Sequence, residues 1–364
     1  MNRTRGLHEL GQSLWLDNIT RVLLTSGTLA RYVRDYSVTG LTSNPTIFDK
    51  AIGDSDAYDE AIRRRAGAGE SGEALFFQLA LEDLRDAADL FRPAFEASRG
   101  VDGWASLEVS PLLLDDSAGS IAAAARLHAL AERPNLFIKI PGTPAGVVAI
   151  EESIFAGVPI NVTLLFSRAQ YVAAAEAYLR GIERRIAAGR APQVTSVASL
   201  FVSRWDVAVQ DAIAPRLRNR LGIAVAQQTY GAYRELLASA RWQRLAAAGA
   251  LPQRLLWAST GTKDPTAPDT LYIDALAAPD TINTMPEQTL LAFADHGRTD
   301  AGLASEGGGD DSDAVLAECR REGIDDAALA ERLQREGGEA FAKSWHQLLE
   351  RIDVKARQLA RAAA

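Results

Sequence analysis

The sequence predicts an α/β protein, a (β/α)8 TIM-type barrel forming one domain over residues 1–364 with extra helices and a helical C-terminal tail. Three observations lead there. Short runs of apolar and β-branched residues recur eight times, and stretches with helical periodicity separate them. Most of those runs close on a polar or turn-forming residue, and in a barrel the C-terminal strand ends carry the chemistry. No internal repeat or linker cuts the chain, and barrels commonly exceed the usual domain size as one unit.

The elements are expected in this order. Residues 13–17 read as the first strand and 20–35 as a helix. Residues 38–43 form the second strand, closed by Asn44-Pro45, where Pro45 suits the first turn of a helix. Residues 51–72 are charged and weakly periodic, an excursion with helical pieces. Leu75, Phe76, Leu79, Leu84, Ala88 and Phe91 mark one face of a helix over 73–97. Strands follow at 104–111, 136–141, 158–165, 193–201, 255–259 and 281–285. The intervening helices are expected at 117–132, 144–155, 167–188, 204–218 and 225–248, with one more opening at Pro286, where Glu287 suits its first turn. Residues 301–312 are rich in Gly and Asp and read as a loop. The tail, 313–364, is helical and charged, with breaks expected near Gly323 and Gly337-Gly338.

Composition narrows the function classes. With 47% hydrophobic residues, a net charge of −8 and no basic region, nucleic acid is not an expected partner. An anionic substrate would have to meet local cations. No apolar run reaches membrane-spanning length. No signal-peptide core follows the first residues, so a cytoplasmic location is the expectation. The single cysteine, Cys319, can form no disulfide within the chain and reads as an inert surface or packing thiol. His8, His128, His296 and His346 lie apart without metal-ligand spacing, so no metal site is expected. The oligomeric state stays open, a homo-oligomer included.

Lys139 stands out. In Leu136-Phe137-Ile138-Lys139-Ile140-Pro141-Gly142 it sits inside an apolar run that a turn then stops. Phe137, Lys139 and Pro141 share one face and Leu136, Ile138 and Ile140 the other. Burial disfavours the charged form of an amine, and a neutral amine is the nucleophile of Schiff-base chemistry. The competing reading is a lysine that snorkels to solvent or pairs with a carboxylate.

Other strands carry polar residues near the same end: Asp17, Asn44, Glu108, Asn161 and Thr163, Ser199, and Ser259. Each alone has an ordinary explanation, such as a helix cap for Asp17 or a turn for Asn44. Together they are foreign to a barrel interior, which branched apolar residues normally fill. An amine, two carboxylates, two amides and hydroxyls at one mouth suit covalent carbonyl chemistry on a polyol.

Gly40-Leu41-Thr42-Ser43-Asn44-Pro45-Thr46-Ile47-Phe48 resembles one signature of the transaldolases, and Ile138-Lys139-Ile140-Pro141-Gly142-Thr143-Pro144-Ala145-Gly146 resembles another. Similar segments at 14–19, 160–166, 199–204 and 257–263 extend the resemblance over about residues 10–295. It implies transfer of a dihydroxyacetone unit from a ketose phosphate (sedoheptulose 7-phosphate or fructose 6-phosphate) to an aldose phosphate (glyceraldehyde 3-phosphate or erythrose 4-phosphate) in the pentose phosphate pathway. No cofactor is implied. By the same resemblance Lys139 is the Schiff-base residue and Asp17 the acid/base. Glu108 and Thr163 position a water, and Asn44, Asn161 and Ser199 hold the dihydroxyacetone hydroxyls. Arg204 and Ser259 bind phosphate. Shorter members carry an arginine just after the strand-seven serine. Here Lys263 is the substitute, as in the longer subfamily, and lacks the bidentate fork. Glu108 with Phe201 matches the transferase pair, whereas aldolase relatives tend to carry Gln and Tyr. The alternatives are a direct aldolase releasing dihydroxyacetone and a non-catalytic barrel acting as a binding protein.

Overall fold

The computed structural model describes residues 3–300, 302–303 and 311–362. Eight parallel strands run in the order β2-β1-β8-β7-β6-β5-β4-β3. They are β1 (Gln12–Leu16), β2 (Val38–Leu41), β3 (Ala105–Glu108), β4 (Leu136–Pro141), β5 (Ile160–Leu165), β6 (Ser196–Phe201), β7 (Gln253–Ala258) and β8 (Thr281–Met285). The ring closes between β2 and β3, where Gly40 pairs with Trp104 and Leu41 N donates to Trp104 O at 2.9 Å. Closure there demands glycine: a Cβ on Gly40 would stand 2.6 Å from the Trp15 ring and 2.7 Å from Trp104 O.

The strand faces divide as the alternation requires. Trp15, Trp104, Phe137, Val197, Leu256, Ala258 and Ile282 pack inside the barrel, with Trp104 and Phe137 stacked at 4.0 Å. Leu14, Leu16, Leu136, Ile138, Ile140, Ile160 and Val162 face the surrounding helices. Leu164 departs from the expected alternation. The register of β5 shifts between Val162 and Leu165, and Leu164 takes φ 56°. It therefore packs with Phe166 and Trp205 in a separate cluster above the strand ends.

Helix boundaries differ from expectation where local chemistry breaks the period. The helix expected at 20–35 is two, Arg21–Thr25 and Thr28–Tyr36, parted at Gly27 with φ 75°. The third strand ends at Glu108, before a 3-10 turn at Pro111–Leu113. The helix expected at 204–218 is Ser203–Val209 followed by a 3-10 turn at Pro215–Leu217. That expected at 225–248 splits at Ser239, whose side chain caps the second piece, Ala240–Ala247. Most of the loop expected at 301–312 lies outside the described residues; Ser312 already begins the helix Ser312–Arg321. Cys319 on that helix is a buried packing thiol.

The largest correction concerns the tail. A break does occur at Gly323, but Asp326–Ala362 is one helix that runs straight through Gly337-Gly338. Tertiary contact overrides the low helix propensity of the pair. This tail helix lies against the C-terminal end of the barrel. Gln334 Nε2 donates to Gly142 O at 3.1 Å and Leu164 O at 2.9 Å, and Thr46 Oγ1 donates to Ser344 Oγ at 2.8 Å. Trp345 packs edge-on to Phe76 at 5.0 Å. Among the described residues no helix is long and apolar enough to cross a membrane.

Candidate active site

Lys139 emerges from β4 on the inner face and is 5% exposed. Its amine donates to Ser43 O at 2.9 Å and to Glu108 Oε2 at 3.1 Å. In-register pairing explains the second contact: Glu108 on β3 lies beside Lys139, which lies beside Asn161 on β5. The amine therefore pairs with a carboxylate instead of reaching solvent. Burial raises the Glu108 carboxyl above its ordinary range, and the Lys139 charge and hydrogen bond only partly offset that.

Two oxygens next to this pair, Glu108 Oε1 and Thr163 Oγ1, are both buried and make no hydrogen bond among the described residues. A buried acceptor without a partner costs about 1–3 kcal/mol, so natural folds seldom leave two together without a use.

Asp17, just past β1, faces the amine across the mouth. Thr42 Oγ1 donates to Asp17 Oδ1 at 2.8 Å, and Thr42 in turn contacts Thr284 Oγ1 at 2.7 Å. With its one proton on Asp17, Thr42 accepts from Thr284. Burial raises the Asp17 carboxyl, while Thr42, Lys139 and Lys263 pull it back down.

The cavity over Lys139 is lined by Asp17, Thr42, Asn44, Thr163, Ser199, Phe201, Arg204, Ala258, Ser259, Thr284 and Phe341. Eight of the expected site residues thus meet there with Lys139 itself among them, and Glu108 lies directly behind it. Asn161 sits one layer deeper. It is fully buried, its amide oxygen accepts from Ser199 Oγ at 2.7 Å, and its Nδ2 donates to Ser106 Oγ at 3.2 Å. As the residues stand, Asn161 fixes Ser199 and does not line the cavity. Asn44 has two occupations: it lines the cavity, and its Oδ1 caps the helix Pro45–Gly53 by accepting from Ile47 N at 3.1 Å.

Arg204 is exposed at the rim and makes no ion pair among the described residues. Ser259 takes φ 56° and meets Ser203 Oγ at 3.0 Å. Lys263 does not line this cavity. It lines an adjoining cleft with Arg218, Asn219, Asp264 and Tyr272, although its charge still reaches Asp17. The loop Ser259-Thr260-Gly261-Thr262 explains the offset, since Thr260 turns inward to Asn283 Oδ1 at 2.8 Å and Thr284 O at 3.1 Å.

Sequence reasoning missed Thr42 as the partner of Asp17, Thr284 as the partner of Thr42, and Phe341. Thr42 lies within the segment 40–48, and Thr284 precedes the end of β8, so inward parity could have flagged both. Nothing local marks Phe341, which arrives from the tail helix.

The fold and this mouth define a (β/α)8-barrel enzyme with a buried lysine between two carboxylates. A profile of the family "Transaldolase/Fructose-6-phosphate aldolase" matches residues 14–352. The transaldolase of Parafrankia sp. (strain EAN1pec) is 47% identical over 95% of this chain and 96% of its own. That of Thermobifida fusca is 46% identical over 97% of each chain, and that of Thiobacillus denitrificans 44% over 97% of this chain and 100% of its own. The chain belongs to the transaldolase/fructose-6-phosphate aldolase family.

Proposed function

We propose that this chain is a transaldolase that carries a dihydroxyacetone unit on Lys139 from a ketose phosphate to an aldose phosphate, with residues 1–364 acting as one barrel unit. The observation that carries the reading is the buried Lys139 amine, held against Glu108 and open to a cavity that Asp17 also lines. Glu108, its carboxyl raised by burial, takes a proton from the amine, leaving the lone pair free to add to the ketose carbonyl. The carbinolamine loses water, which the free oxygens of Glu108 and Thr163 are placed to hold. Asp17 then takes the proton of the hydroxyl β to the iminium carbon. The neighbouring C–C bond breaks, its electron pair passes to the iminium nitrogen as an enamine, and an aldose phosphate leaves. The acceptor aldehyde enters, the steps run backward, and Asp17 returns its proton to the new alkoxide. Asn44 and Ser199 hold the hydroxyls of the retained unit. Arg204 and Ser259 meet the phosphate at the rim, and Lys263 adds charge from the adjoining cleft.

Treatment with borohydride and fructose 6-phosphate should leave a three-carbon unit on Lys139 and inactivate the protein. Lys139→Ala should lose both labelling and turnover. A three-carbon label on another lysine of the unmutated protein would refute the assignment.

A further inference from the structure

We infer that Phe341, on the tail helix, is a specificity-determining residue: with Phe201 it walls the cavity against water, so the three-carbon enamine reaches an aldehyde acceptor before it is hydrolysed. The inference rests on the transferase reading above and concerns what decides between transfer and release.

The tail helix is built to come close. Gln334, Gly337, Gly338, Phe341 and Trp345 recur at helical spacing and share one face, and that face meets the barrel. Gln334 ties it to the loops after β4 and β5. A Cβ on Gly337 would stand 3.0 Å from Leu164 Cδ2, and one on Gly338 would stand 2.6 Å from Leu114 Cδ2. Each interior glycine costs a helix about 1 kcal/mol relative to alanine, so a pair marks a place where closeness outweighs helix stability. One turn beyond the pair, Phe341 lines the cavity that holds Lys139, Phe201 and Ser259. It is 8% exposed and packs in one cluster with Leu164, Phe166 and Trp205, against which Phe201 also packs; the Phe166 and Phe201 rings are 5.2 Å apart. The strained bulge at Leu164 has a purpose in this arrangement, since it turns that side chain up to meet the helix. Two aromatic rings, one from β6 and one from the tail, thus stand on the apolar side of an otherwise polar mouth.

The chemistry gives this wall a consequence. Release without an acceptor adds one water to the enamine overall. A proton goes to the enamine carbon, water oxygen adds to the resulting iminium carbon, the C–N bond breaks, and free dihydroxyacetone and the Lys139 amine result. Transfer forms a C–C bond to the aldehyde first. A ring that neither donates nor accepts hydrogen bonds excludes water from the first route while leaving the second to the acceptor.

The test uses fructose 6-phosphate as donor and measures two products: free dihydroxyacetone formed without acceptor, and sedoheptulose 7-phosphate formed when erythrose 4-phosphate is added as acceptor. Phe341→Ala should raise the ratio of release to transfer by at least about fivefold, the scale of a one-kcal/mol change in a barrier. Phe341→Leu, which keeps apolar bulk, should raise it less. If Phe341→Ala does not fold, Phe341→Val takes its place under the same criterion. An unchanged ratio in the folded variant overturns the inference even when both rates fall together, because a merely structural residue would lower both. A wild-type protein that releases the three-carbon unit and transfers none would instead overturn the transferase reading, and the unmutated control shows this separately.

Discussion

The barrel has a buried polar cluster at each end, and only one of them is built for chemistry. At the foot, Asp102 accepts from Ser13 Oγ, from Trp15 Nε1 at 2.9 Å, from Thr39 Oγ1 at 2.7 Å and from Gly103 N at 2.9 Å. Arg254 completes the cluster, donating to Ser13 Oγ at 2.9 Å and Thr281 O at 2.7 Å. At the mouth, Glu108 Oε1 and Thr163 Oγ1 have no partner among the described residues, and burial raises the carboxyls of Glu108 and Asp17. The foot satisfies its charge and joins β1, β2 and β7 to the turn before β3. The mouth holds its charges in partial want of partners that a substrate and a water supply. Buried polarity therefore does not by itself mark a site. Unsatisfied polarity that opens on a cavity does.

Substitution at the two ends should separate the roles. Asp17→Asn at the mouth should cut turnover by about a hundredfold or more, the scale of lost acid–base catalysis, while borohydride still traps substrate on Lys139. Turnover near the unmutated value would make Asp17 a structural residue and bring the mouth down to the level of the foot. Asp102→Ala at the foot should do the converse. It strands the donors of Ser13, Trp15 and Thr39, at a cost of about 2–4 kcal/mol in unfolding free energy, and leaves kcat of the folded protein close to unchanged. Urea denaturation beside steady-state kinetics reads both quantities. A large fall in kcat with little loss of stability would mean that the foot communicates with the chemistry.

The mouth was far more legible in the sequence than the foot. Strand parity placed Lys139, Glu108, Asn161, Thr163, Ser199 and Phe201 on the inner side, because an apolar opposite face leaves a polar residue in a strand only one direction. Asp102 carried no such sign, since it lies in a turn whose partners come from three distant segments. The tail helix was legible as helix but not as part of the mouth. Gly337-Gly338 read as a break because propensity is local, whereas the contacts to Leu164 and Leu114 that favour the pair lie 173 and 224 positions back along the chain, beyond any local window. Lys263 was placed by its distance along the chain from Ser259, which says nothing of the inward turn at Thr260.

The smallest expected effect tests whether the mouth is held at a cost. A carboxyl whose pKa is higher in the folded protein than in the unfolded chain binds its proton more tightly when folded. Its contribution to stability is then fully present below the unfolded value, near 4, and is lost as pH rises through the folded one. Burial raises Asp17 in this way, so at neutral pH its ionised form opposes folding. The side chain is only half-buried by way of the cavity, and water there tempers the penalty. Asp17→Asn removes the charge, keeps the shape and retains an oxygen that can accept from Thr42. The variant should therefore melt about 2 °C or more above the unmutated protein at pH 7. The gain should shrink as pH falls toward the unfolded value, because the folded Asp17 carboxyl takes up its proton on the way and the charge that opposes folding is removed. Asp102→Asn at the foot should lower the melting temperature at pH 7, since there the carboxylate has donors on every side. Melting curves for both variants across that range decide the matter. If Asp17→Asn melts below the unmutated protein at pH 7, the Asp17 carboxylate is as well satisfied as that of Asp102, and the two ends of the barrel do not differ in the way described.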